Sequence, residues 1–151
     1  MNYIVYLGAT YPIFIAIIYA LLCVIIKHEK VHHIRNTLTV IGGAIIAYGV
    51  AIFLKGLFKH PRPDLTQALF VPNDIYSFPS GHATFMFTLV FIMYAYDKRA
   101  YIVLLFLAVI TSISRVLAGV HYWYDIIGGI ILAFIIAQAV LYSTTKLIRK
   151  M

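Results

Sequence analysis

Three short clusters in this 151-residue chain hold side chains that could do chemistry. The first is Lys55, six residues, then Arg62-Pro63; the second is Pro79-Ser80-Gly81-His82; the third is Ser114-Arg115, five residues, His121, three residues, Asp125. Three cations (Lys55, Arg62 and Arg115) in one pocket repel each other unless an anion lies among them. The planar fork of arginine suits phosphate oxygens, and lysine adds a compact charge. Ser80 and Gly81 stand where a helix would open, so their backbone N–H groups would point outward without intrahelical partners. That is an anion site strengthened by the helix dipole. Glycine at 81 also permits close backbone approach to a ligand. A tetrahedral phosphate meets all of these requirements. His121 and Asp125 are four apart and share one helix face. An aspartate accepting from one ring nitrogen fixes the tautomer and leaves the other nitrogen as a nucleophile. His82, at a neighbouring helix start, can protonate the leaving oxygen as general acid. Attack by His121 gives a phosphohistidine. Water activated by His82 in reverse releases phosphate, and the cations stabilise charge on the equatorial oxygens throughout.

The elements that must position these residues are apolar. The chain is 63% hydrophobic and 11% charged, against roughly 25% charged residues in a soluble domain. Runs at about 9–26, 36–54, 80–96, 100–117 and 122–144 approach the roughly 20 apolar residues that cross a bilayer. The fold class is therefore all-α, an integral membrane bundle of about five transmembrane helices. It forms a single domain over residues 1–151 with its motif-bearing core at 55–125. A polar stretch between spans two and three, punctuated by Pro61, Pro63, Pro72 and Pro79, reads as a loop.

The formal charge of +7 would suit nucleic acid, but the location of the charges excludes that partner. Lys27, Lys30, Arg35, Lys98, Arg99, Lys146, Arg149 and Lys150 all fall at one end of the five runs, which the positive-inside tendency makes cytoplasmic. Lys55, Lys59, Arg62 and Arg115 collect at the opposite face. The reading is a multi-pass protein of the cell (plasma or inner) membrane with its site on the extracytoplasmic face. No charged side chain precedes Lys27, so the first run lacks a signal-peptide n-region and is read as retained. The single cysteine, Cys23, permits no intrachain disulfide. Gly42, Gly49 and Gly56 in span two, and Gly128-Gly129 in span five, read as sites of close helix packing.

With eleven positions in order on the correct helix ends, the three clusters resemble the complete signature of the type 2 phosphatidic acid phosphatase superfamily. That superfamily comprises membrane lipid phosphatases and soluble vanadium haloperoxidases, and the apolar spans exclude the soluble branch. The resemblance implies that Lys55, Arg62, Ser80, Gly81 and Arg115 bind phosphate. It implies His82 as acid, His121 as nucleophile and Asp125 as its partner, with no metal and no cofactor. The expected substrate is a lipid phosphate or diphosphate in the bilayer: undecaprenyl diphosphate, phosphatidylglycerophosphate or phosphatidate. Membrane members typically have six spans, so one N-terminal span is missing, and the loop between the first two motifs is short. A homodimer is one arrangement that would supply the missing wall.

Other classes compete. His28-Glu29-Lys30-Val31-His32 satisfies H-E-x-x-H, in which two helical histidines hold zinc. A membrane zinc protease is disfavoured because the segment lies in a short connection without a third ligand. A pocket that only bound headgroups would need no His121, Asp125 or His82. A lipid phosphotransferase would share the whole site, since the acceptor is not encoded in the motifs.

Overall fold

The structure, a computed structural model, describes residues 2–27 and 35–148. The H-E-x-x-H segment, with Lys30, Arg149 and Lys150, lies outside the described residues. Helices α1 (Asn2–Thr10) and α2 (Pro12–Lys27) make one span, Tyr3–Ile26, interrupted only where Pro12 lacks an N–H. The first span thus begins six residues before the expected 9, because Tyr3, Ile4, Val5, Tyr6 and Leu7 are themselves apolar and helical. The second span, Arg35–Phe58, opens on a π-helical turn at Leu38–Gly42 and continues as α3 (Gly43–Phe58). After the loop come α4 (Gly81–Tyr96), α5 (Lys98–Leu117) and α6 (Trp123–Ile148).

Helix α4 is the axis of the bundle. It is apolar around its whole circumference, as a helix with no solvent face must be, and it packs against α3, α5 and α6. Met86, Leu89, Ile92 and Met93 are fully buried. Its two buried threonines return their hydroxyls to their own helix, Thr84 to the Ser80 carbonyl at 2.9 Å and Thr88 to the Thr84 carbonyl at 2.7 Å. That satisfies a polar group without a partner across the bundle. At 16 residues α4 is shorter than the four other spans, which run to 20–24 residues. Among the described residues the bundle therefore has four helices long enough to cross a bilayer and one short apolar helix among them.

Between membrane helices lipid offers no hydrophobic drive, so close packing of small side chains does the joining. Alanines carry it here: Ala16, Ala20, Ala44, Ala47, Ala108 and Ala133 are wholly buried. The glycines divide. A methyl at Gly129 would lie 2.9 Å from the Ser80 carbonyl oxygen, and one at Gly128 would strike the Phe78 ring, so α6 approaches the start of α4 as expected. Gly42, Gly49 and Gly56 face open space, with nothing within 4 Å of where a methyl would stand, which corrects the close-packing reading for span two. The alanines on the opposite side of that helix hold it to the bundle instead. Large apolar side chains such as Ile18, Phe53, Phe106 and Phe134 are exposed around the perimeter, the surface a bilayer would cover.

Candidate active site

The clusters meet at the end of the bundle where α3 and α5 finish and α4 and α6 begin. Helix α3 is closed by Lys59 in the left-handed conformation at φ 48°, its N–H on the Lys55 carbonyl at 2.9 Å. The chain then runs back across the bundle end, fixed by a single bridge between Pro61 and Tyr76 and by Ser77 N–H on the His60 carbonyl at 2.9 Å. This short return places Arg62 beside the end of α3. Helix α5 is closed by Gly119 at φ 73°, a conformation that favours glycine. The reversal there delivers Val120 and His121 over the start of α4.

Six of the eight candidate residues line one small space of about 40 Å3: Lys55, Arg62, Gly81, His82, Arg115 and His121. Lys55, Arg62, Arg115 and His121 are buried. His121 presents Nδ1 to Asp125 Oδ2 at 3.1 Å, and its Nε2 lies 3.4 Å from Arg62 Nη1. An arginine can only donate. Both contacts therefore favour the tautomer with the proton on Nδ1 and a lone pair on Nε2. Burial, then repulsion from Arg115, Arg62 and Lys55, outweighs the Asp125 hydrogen bond and pushes the imidazole pKa down to about 4. At neutral pH the ring is unprotonated, as a nucleophile must be.

Asp125 is fully buried and does not touch the 40 Å3 space. Its carboxylate accepts from Tyr122 N–H at 2.9 Å and Ser77 Oγ at 3.3 Å besides His121. Arg115 reaches His82 Nε2 at 3.3 Å and the Ala9 carbonyl at 3.4 Å, and its guanidinium lies over the Phe70 ring at 5.4 Å. Its Nε has no partner among the described residues, nor does any described carboxylate pair with it. A buried cation without a counter-ion is costly unless an anion visits it.

Ser80 departs from expectation. Its backbone N–H does not face the space but donates to the Asp125 carbonyl at 3.0 Å, while its hydroxyl caps α4 by accepting from Ala83 N–H at 3.4 Å. It is completely buried. Ser80 therefore ties α4 to α6, and the free donors at this helix start belong to Gly81 and His82. A methyl at position 81 would lie 2.8 Å from the Tyr48 ring, so glycine lets the ring pack directly on the opening of α4.

Two groups went unread in the sequence. Ser77 braces Asp125. Asp74, in the loop, pairs its carboxylate with both Lys55 and Arg62. Partial burial raises the Asp74 carboxyl, but the hydrogen bond and charge of Lys55, then Arg62, outweigh it and hold it below the ordinary carboxylate range. Three clustered cations and only two acidic residues, Asp64 and Asp74, in the loop beside them were the signal that could have found it.

Beside the small space lies a cavity of about 530 Å3, bounded by Tyr48, Ile52 and Gly56 of α3 on one side and residues 70–74 on the other. His82, Arg115 and Lys55 form its inner wall. Tyr48 and Ile52 are also exposed on the outside of the bundle.

The family model described as the PAP2 superfamily matches residues 36–149. The Bacitracin transport permease protein BcrC of Bacillus licheniformis is 29% identical over 155 residues, 97% of this chain and 73% of its own length. The Undecaprenyl-diphosphatase of Sulfolobus acidocaldarius is 35% identical over 95 residues, which are 56% of this chain and 46% of that protein. The crystal structure of a transmembrane PAP2 type phosphatidylglycerolphosphate phosphatase from Bacillus subtilis superposes with a TM-score of 0.65 at 25% identity, covering 95% of this chain and 74% of that one. A family match over three quarters of the chain, with the same bundle found in a solved structure, leads to one conclusion: the chain belongs to the PAP2 superfamily.

Proposed function

We propose that this protein is an integral membrane phosphatase that hydrolyses a phosphomonoester or diphosphate of a lipid through a phosphohistidine on His121. The observation that carries the reading is the buried Arg115, without a carboxylate partner among the described residues, facing the same small space as His82 and the oriented His121. In the first step Nε2 of His121 forms a bond to phosphorus. The bond to the leaving oxygen breaks, and His82, which enters the step as the imidazolium after the phosphate has drawn Arg115 off its Nε2, supplies that oxygen with its proton. In the second step water gives a proton back to His82, attacks phosphorus and releases phosphate from His121. Lys55, Arg62, Arg115 and the Gly81 and His82 N–H groups stabilise the equatorial oxygens without a metal ion.

The lateral cavity supports a lipid as substrate. It joins the cations to a part of α3 that a bilayer would cover, so a chain could enter sideways while its headgroup reached the cations. Undecaprenyl diphosphate, phosphatidylglycerophosphate and phosphatidate all suit this shape, and two of the similar proteins carry the first two chemistries in their names. Purified protein in detergent should release phosphate from at least one of these lipids. Activity should persist in excess EDTA, and vanadate should inhibit by imitating five-coordinate phosphorus. A strict requirement for an added divalent ion would overturn the metal-free mechanism, and no release from any of the three would overturn the lipid assignment.

The sidedness of the site follows from the charge bias, which sets Arg35, Lys98, Arg99 and Lys146 at the end opposite the site. On a Cys23→Ser background, a cysteine at exposed Gln67 should react with an impermeant maleimide in intact cells or spheroplasts. One at Lys98 should react only after the membrane is opened. The reverse pattern would place the enzyme's work on cytoplasmic-leaflet lipids.

A further inference from the structure

Lys55 and Arg62 are engaged by a short piece of the loop between α3 and α4. Lys55 Nζ donates to the Tyr76 carbonyl at 3.0 Å as well as to the Asp74 carboxylate. Arg62 Nε donates to the Asp74 carbonyl at 3.0 Å, and its Nη2 donates to the Asp74 side chain. One carboxylate thus spans two cations with its two oxygens, which is how two oxygens of a phosphate would be held. Around it the loop is anchored at both ends: the Leu69 N–H lies on the Ala118 carbonyl at 3.0 Å, and Tyr76 bridges Pro61. Between those anchors Val71 and Ile75 are 71% and 78% exposed, and the Asp74 side chain is 51% exposed. Asp74 itself lines both the 40 Å3 space and the 530 Å3 cavity. The smaller space is only about 40 Å3 with the Asp74 carboxylate at its edge, and a phosphate brings four oxygens.

We propose that Asp74 is a built-in competitor for the phosphate site: its carboxylate occupies Lys55 and Arg62, and a lipid phosphate must displace it before reaching His121. The inference rests on the reading of those two cations as phosphate ligands. The exchange is feasible because the Asp74 carboxylate is already half exposed and regains water when displaced, while the two buried cations keep an anionic partner in the phosphate. A phosphate returns more charge and more oxygens to the same donors. The displaced segment 71–75 needs only to swing outward between its anchors, which opens the small space into the larger cavity. Asp74 thereby sets substrate affinity, and it keeps the cations from holding anions that lack a lipid chain to compensate for the displacement.

The test measures anion binding to the full chain in detergent, by titration calorimetry with orthovanadate and inorganic phosphate. Asp74→Asn, and Asp74→Ser as a second variant, should bind both anions roughly fivefold tighter, because a site that is no longer self-occupied recovers its intrinsic affinity. Asp64→Asn removes an equal charge from the same loop, where among the described residues the side chain accepts from Thr66 N–H and touches neither site cation, and it should leave binding unchanged. Equal or weaker binding by both Asp74 variants would overturn the inference and make Asp74 a positioning residue for Lys55 and Arg62. Equal tightening by Asp64→Asn would also overturn it, by reducing the effect to net charge. Lipid turnover by the parent, measured in parallel, tests the phosphatase reading separately. Turnover with no tightening sinks only the competitor, while tightening with no turnover sinks only the phosphatase.

Discussion

His121→Ala should lower kcat by about four orders of magnitude or more, the scale on which enzymes lose rate when a covalent nucleophile is removed. The fold should survive. The ring contributes one contact to Asp125 and one to Arg62, and Asp125 keeps its bonds from Tyr122 N–H and Ser77 Oγ after the ring is gone. Rapid quenching of the parent into alkaline denaturant during turnover should trap a phosphoprotein near one phosphate per chain, stable to base and labile to acid. The His121→Ala protein, monodisperse in detergent, should show none. Substantial turnover in that variant, or an equal phosphoprotein signal, would remove His121 from the covalent step. Loss of the signal with kcat intact would point to direct attack by water.

Asp125→Asn should lower kcat by about 10^2- to 10^3-fold, the usual size of losing one preorganised electrostatic stabiliser, and Asp125→Ala should lower it further. The difference follows from the bonds around the carboxylate. Oδ2 accepts from both His121 Nδ1 and Tyr122 N–H, so an amide oxygen would be held there, with its NH2 toward Ser77 Oγ. Asparagine therefore keeps the tautomer that leaves Nε2 free, and what it lacks is negative charge. Phosphorylation at Nε2 makes the ring cationic while Nδ1 keeps its proton, and the carboxylate stabilises that charge in a buried place. Alanine loses the charge and the orientation together. If Asn were as active as the parent, the charge of Asp125 would have no part in catalysis. If Asn were no better than Ala, orientation would count for nothing. The comparison is made on purified variants, with circular dichroism and gel filtration to establish an intact bundle.

The helices and the site cations are legible because each leaves a pattern in the chain. Five apolar runs become four helices long enough to span and one shorter apolar helix, and antiparallel alternation with short connections then puts Lys55, His82, Arg115 and His121 at one end. Asp74 leaves no such pattern. In Pro72-Asn73-Asp74 an acidic residue reads as a turn former, and only the tertiary return of the loop brings it to Lys55 and Arg62. Ser77 is equally silent, since its partner lies 48 residues away. The role of Ser80 differs from the expectation because a helix start in a bundle is not an isolated end. The neighbouring helix supplies a carbonyl at Asp125, which takes the N–H that would otherwise face a ligand. The glycines of span two differ because spacing tells which residues share a face but not whether that face meets a neighbour.

The length of α4 has a consequence for the state in which a substrate meets the site. Sixteen residues rise about 24 Å, less than the roughly 30 Å of hydrocarbon in a bilayer. The longer helices around it shelter the shortfall, so the bilayer need not thin to match it. The opening of α4 lies level with the first turn of α6, where the Ser80 N–H meets the Asp125 carbonyl, and the groups arrayed there sit in a recess because the loop and the neighbouring helices close over Lys55, Arg62, Arg115 and His121. A headgroup drawn into that recess leaves behind part of its water shell, and the fixed charges and N–H groups of the protein take the place of those waters. Moving the phosphate inward and stripping it are then one event.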